Sequence, residues 1–120
     1  MARILIVDDE EGDRLILEAI LSRAGHEIYF AENGEEALRQ YQLKGVDVVI
    51  TDLQMPEVHG FELITVLRDF SPPPSVIAIS GTGSFQLHMA EALGAKATIA
   101  KPVDPELLTD AVDRALGLKE

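Results

Sequence analysis

Apolar positions along the chain fall into two alternating periodicities. Short runs rich in β-branched residues, Arg3-Ile4-Leu5-Ile6-Val7, Val48-Val49-Ile50 and Val76-Ile77-Ala78-Ile79, are too brief for helices and read as buried strands. His26 to Ala31 and Lys96 to Ala100 are more mixed in character and read as two further strands. Between the strands the spacing changes to that of a helix face. The residues that mark it are Ile16, Leu17, Ile20, Leu21 and Ala24 within 13–24, then Ala37, Leu38 and Tyr41 before Gly45. Phe61, Leu63, Ile64 and Leu67 mark a third helix, Phe85, Met89 and Ala92 a fourth ending at Gly94, and Leu108, Ala111, Val112 and Ala115 a fifth.

The punctuation agrees with this division. Gly25 stands where a helix ends on a left-handed residue. Asn33 followed by Glu36 resembles a capping box, and Ser84 is placed to cap the fourth helix. Asp104-Pro105 joins a capping carboxylate to a proline at the first helical position. Ser71-Pro72-Pro73-Pro74 cannot continue a helix and forms a stiff connector.

Five strands, each followed by a helix, with no repeat or linker, imply a single α/β domain over residues 1–120. A parallel sheet with right-handed crossovers and helices on both faces follows. The first, third and fourth strands are apolar throughout, as central parallel strands are. The second and fifth belong at the edges. The doubly wound order 2-1-3-4-5 satisfies this and sets a ligand crevice at the carboxyl ends of the first and third strands.

Composition narrows the function. With 120 residues, 47% of them apolar, and a mean hydropathy of +0.11, the chain is expected to be an ordinary soluble domain. No apolar run approaches membrane-spanning length and no signal peptide is recognisable, so a cytoplasmic protein with no membrane partner is expected. Zero cysteines exclude disulfide and thiolate chemistry. A formal charge of −11 argues against direct nucleic-acid binding and favours a cationic ligand or a partner with a basic face.

The predicted topology brings the chemistry to one rim. Asp8 and Asp9 leave strand one beside Asp52, which leaves strand three; Ser80 leaves strand four and Lys101 strand five. Taken singly, each has an ordinary reading as a loop, capping or surface residue. Two carboxylates about 4 Å apart repel by roughly 4 kcal/mol at an effective dielectric near 20, a large part of the usual margin of about 5–15 kcal/mol. A hard divalent cation relieves that repulsion, and Mg²⁺ suits a few carboxylates completed by water and phosphate oxygens. A carboxylate beside Mg²⁺, flanked by a lysine and a hydroxyl, is equipped to accept a phosphoryl group.

On Asp8-Asp9, on Asp52 with Met55-Pro56 and Gly60, on Ser80 and on Lys101-Pro102, the whole chain resembles the receiver domains of two-component response regulators. The resemblance implies a flavodoxin-like (βα)5 fold. It also implies a phosphorylation-dependent switch rather than a turnover enzyme. Asp52 would take a phosphoryl group from a histidine kinase or relay phosphohistidine. Asp9, Asp52, the backbone carbonyl of Gln54 and, largely through water, Asp8 would hold Mg²⁺. Lys101 would bind the phosphoryl oxygens and Ser80 would move to bond one of them. The bond before Pro102 is commonly cis in this family, and Gln54 and Thr82 occupy positions that tune dephosphorylation. Output would pass through the region after strand four to a partner the sequence does not name, from a monomer or a weak dimer formed on phosphorylation.

Two positions depart from the family pattern. Thr98 stands where an aromatic residue often reports phosphorylation, and Val103 where a larger apolar residue is frequent. Output is therefore expected to run through Gly81–Gly83 and the fourth helix without an aromatic toggle. A Mg²⁺-dependent phosphatase with an aspartyl nucleophile is the alternative enzyme; it would want an acid at position 54, which is Gln. An interaction module with a vestigial site is the third reading. His26, His59 and His88 lack metal-ligand spacing. Phe85, Met89 and Leu93 are expected to pack rather than to dock a partner.

Overall fold

The structure is a computed structural model that describes residues 2–53, 60–81 and 84–118. In chain order its elements are β1 (Arg3–Val7), α1 (Glu11–Ser22), β2 (Glu27–Ala31), α2 (Gly34–Lys44), β3 (Val48–Asp52), α3 (Gly60–Leu67), β4 (Ser75–Ser80), α4 (Ser84–Leu93), β5 (Ala97–Ala100) and α5 (Pro105–Ala115). The strands form one parallel sheet in the order β2-β1-β3-β4-β5, as expected from which runs are wholly apolar.

Side-chain alternation along each strand divides the core into two layers. On one face Leu5, Val7, Val49, Val76 and Ala78 pack with Ala37 of α2, with Leu63, Ile64 and Leu67 of α3 and with Ala90 of α4. On the other Ile4, Ile6, Val48, Ile50, Ile77, Ile79 and Ile99 pack with Leu17 and Leu21 of α1 and Leu108 and Val112 of α5. Burial on both faces explains why β3 and β4 read as unbroken apolar runs. The edge strands β2 and β5 are only partly buried, which matches their mixed composition. Among the described residues no helix is long and apolar enough to cross a membrane.

Two of the expected side-chain caps form. Asn33 accepts from the Glu36 amide at 2.8 Å. Asp104 accepts from the Glu106 amide at 2.9 Å, with Pro105 opening the helix. Gly45 closes α2 at φ +64, a conformation that side chains bearing a Cβ seldom adopt.

Three expectations need correction. α1 starts at Glu11 rather than at 13, because the acidic run after β1 enters the first helical turn, where negative charge is favourable. Ile16 faces outward at 58% exposure, the buried stripe of α1 being Leu17 and Leu21. Phe85 and Met89 do not pack, at 73% and 40% exposure. The inward face of α4 is instead Leu87, Ala90 and Leu93, turned away from the Phe85–Met89 side by the helical period.

Candidate functional site: an acidic pocket at the strand carboxyl ends

Strand register builds the pocket. Val7 pairs with Thr51, so Asp8 and Asp52 follow as the next residues on adjacent strands. Asp52 is itself paired with Ile79, and Ser80 with Ala100, so β4 and β5 end on the same rim. The Lys101 amide donates to the Ser80 carbonyl at 2.9 Å, which ties the start of the β5–α5 loop to the end of β4. The Lys101–Pro102 bond is cis, the isomer the resemblance implies.

Burial sets the electrostatics. Asp8 is 2% exposed and Asp52 7% exposed, whereas Asp9 is open to solvent. One carboxylate oxygen from each of Asp8, Asp9 and Asp52 falls within 4.8 Å of the others. The Lys101 ammonium lies 3.3 Å from Asp52 Oδ2 and 3.6 Å from Asp8 Oδ2. Desolvation pushes the Asp8 carboxyl up to about 6; the Asp52 and Asp13 charges add to this, while the Glu10 amide, donating at 2.9 Å, and Lys101 oppose it. Burial pulls the Lys101 pKa down. The hydrogen bond to Asp13 and the charges of Asp52 and Asp8 outweigh that and leave it above the usual lysine value.

The donor set fits a hard divalent cation. It offers only carboxylate oxygens, two buried and one exposed, so an ion there would keep water ligands. Ser80 lies 1% exposed at the end of β4. Gln54, Thr82, Met55-Pro56 and His59 lie outside the described residues. Thr98, on β5, pairs with Ala78 of β4 and is partly buried, and Val103 packs against the layer of α1 and α5.

The sequence reading missed one member of this cluster. Asp13, in the first turn of α1, accepts from Lys101 Nζ at 3.0 Å, closer than either buried carboxylate. The available signal was only its closeness in sequence to the Asp8-Asp9 pair. Asp13 lies in the first turn of the helix that follows β1, so it starts near the same strand ends, but sequence position alone does not say that it faces them.

A doubly wound parallel sheet with carboxylates, a hydroxyl and an amine collected at its carboxyl rim defines a class of site, and the sequence comparisons give the family. The chain matches the response regulator receiver domain over residues 4–113 and belongs to that family. It is 36% identical over 115 residues to the chemotaxis protein CheY of Thermotoga maritima, an alignment covering 93% of this chain and 95% of that one. It is 35% identical over 116 residues to the transcriptional regulatory protein GlrR of Escherichia coli, covering 96% of this chain but 26% of GlrR. Among solved structures, a putative response regulator from Chloroflexus aurantiacus superposes with a TM-score of 0.92 at 29% identity, covering 97% of this chain and 98% of the other.

Proposed function

We propose that this chain is a phosphoryl-accepting switch, a single receiver domain whose acceptor is Asp52. The observation that carries the reading is the environment of that carboxylate. It is buried at the end of β3, 3.3 Å from the Lys101 ammonium and within 4.8 Å of carboxylate oxygens of Asp8 and Asp9.

Asp8, Asp9 and Asp52, joined by the backbone carbonyl of Gln54, would hold Mg²⁺. When bound, the ion would neutralise charge on the transferring phosphoryl group. An Asp52 carboxylate oxygen forms the new bond to phosphorus as the donor's P–N bond to a histidine breaks, and the freed imidazole nitrogen takes a proton from water. Lys101 holds phosphoryl oxygens in place by charge-assisted hydrogen bonds. Ser80, already at the rim, turns its hydroxyl to another of those oxygens. The donor is a histidine kinase or a phosphotransfer protein. The chain assists its own phosphorylation and hydrolysis without turning over a separate substrate.

Output runs through the β4–α4 region. This is supported by α4 itself, which packs through Leu87, Ala90 and Leu93 while presenting Phe85 and Met89 to solvent. Exposed apolar side chains on the helix that follows β4 are a surface on which a partner can read a local change at the β4 end.

The test is incubation with acetyl phosphate and Mg²⁺, followed by intact-mass measurement of wild type and Asp52→Asn. Wild type gains one hydroxylamine-labile phosphoryl group and the variant gains none. An equal gain in both moves the acceptor elsewhere, and no gain in wild type sinks the reading. Amide exchange on the phosphorylated sample tests the output route, which is wrong if protection across 84–93 stays the same.

A further inference from the structure

We propose that Asp13 is a positioning residue that competes with the incoming phosphoryl group for Lys101. This deepens, and rests on, the phosphoacceptor reading of Asp52.

Lys101 Nζ has three protons to donate and three carboxylates around it. Asp13 is at 3.0 Å, Asp52 at 3.3 Å and Asp8 at 3.6 Å. Two of these, Asp8 and Asp52, stand at the ends of β1 and β3. Asp13 is different: it comes from α1, its side chain is 38% exposed, and it does not join the metal-ligating trio of Asp8, Asp9 and Asp52. Its contact with the amine is nevertheless the shortest of the three. Lys101 is therefore anchored from α1 as well as from the strand ends.

Opposite consequences follow for the two charged species the pocket would take. A cation needs oxygens of Asp52 and Asp8 that Lys101 now occupies. Asp13 gives the displaced amine an acceptor to retain, and its own charge also attracts the cation. A phosphoryl group on Asp52 instead needs the amine for itself. It must draw Lys101 away from Asp13 and tolerate a further negative charge on the far side of the same ammonium. Asp13 thus favours metal binding and opposes phosphoryl binding, holding the resting state against spurious occupation.

Opposed signs are what a purely structural role for Asp13 cannot produce. The experiment uses wild type, Asp13→Asn and Asp13→Ser, with folding checked by circular dichroism. Mg²⁺ affinity is measured by calorimetric titration. Beryllofluoride, a phosphoryl mimic, is then titrated at saturating Mg²⁺. In both variants Mg²⁺ affinity should fall and beryllofluoride affinity should rise, each by about two- to fivefold, the range of a partly exposed ion pair. In a Lys101→Met background the gain in beryllofluoride affinity from Asp13→Asn should shrink toward nothing. Beryllofluoride affinity that falls or stays level in the Asp13 variants overturns the inference while leaving Asp52 as acceptor. Wild type that binds no beryllofluoride overturns both.

Discussion

The two rims of the sheet use the same residue types in opposite ways. At the amino ends of the strands, Arg3 meets Glu27 at 3.5 Å with both side chains about half exposed. Its guanidinium also donates to the Lys44 carbonyl at 2.8 Å, and its backbone amide donates to Asp47 at 2.9 Å. Arg3, Glu27 and Asp47 each have a partner and stand open to water. At the carboxyl ends Asp8 and Asp52 are buried, Asp9 lies against them, and Lys101 is shared with Asp13 as well. A surface pair is close to neutral for stability. Buried like charges around one amine are unfavourable unless a ligand completes them. The separation of charge from solvent, rather than the number of acids, marks the functional rim.

The sharpest way to break this contrast is to remove the shared cation. Lys101→Met keeps most of the apolar stem and leaves the carboxylates facing one another. In metal-free buffer at neutral pH it should destabilise the fold by about 2 kcal/mol, less than a fully buried pair because the amine is 28% exposed. Urea unfolding measures this. Excess Mg²⁺ should narrow the gap, since a divalent ion supplies the missing positive charge. A variant as stable as wild type without metal would show that the acids are not under mutual strain.

A second test acts on Asp8. Its folded pKa is raised, from an ordinary 3.8 to about 6. Between those values the native state holds a proton that the unfolded chain has lost, so the contribution of Asp8 to stability falls as pH rises through that window and then levels off. Asp8→Asn keeps an acceptor for the Glu10 amide but has no charge to ionise. Without metal at pH 7 it should be more stable than wild type, by about 1–2 kcal/mol after allowance for water at the pocket mouth. The difference should vanish near pH 4. With Mg²⁺ the order should reverse, because wild type alone keeps the full set of carboxylates. Parallel pH profiles for the two proteins would refute the assignment.

Much of this was legible in the sequence because the signals were local or topological. Strand order followed from which runs were wholly apolar, and the rim followed from that order. Asp8, Asp9, Asp52 and Lys101 could be grouped because each directly ends a strand or follows one. Asp13 escaped because it sits in a helix, where first-turn acids are common for the sake of the dipole alone. Its role depends on how α1 is rotated over the sheet, which spacing does not fix. The same gap explains Ile16, Phe85 and Met89. An amphipathic pattern says that one face is buried, but neighbouring stripes differ by only about 100° of rotation. Packing against β1 and β2 selected Leu17 and Leu21 on α1, and packing beside α3, β4 and β5 selected Leu87, Ala90 and Leu93 on α4.

The smallest predicted effect belongs to the amino rim and is the control for the others. Arg3→Ala removes the pair with Glu27 and the hydrogen bond to the Lys44 carbonyl. Both groups left behind are at the surface, where water replaces the lost partner. The backbone bond from residue 3 to Asp47 does not depend on the side chain and survives the substitution. The loss should therefore be below about 1 kcal/mol, should shrink further in salt, and should not respond to Mg²⁺. Unfolding of Arg3→Ala beside Lys101→Met, each with and without Mg²⁺, makes the comparison direct. A metal-dependent effect at Arg3 would mean that the ion acts through the net charge of −11 as a whole, and the distinction between the two rims would fall with it.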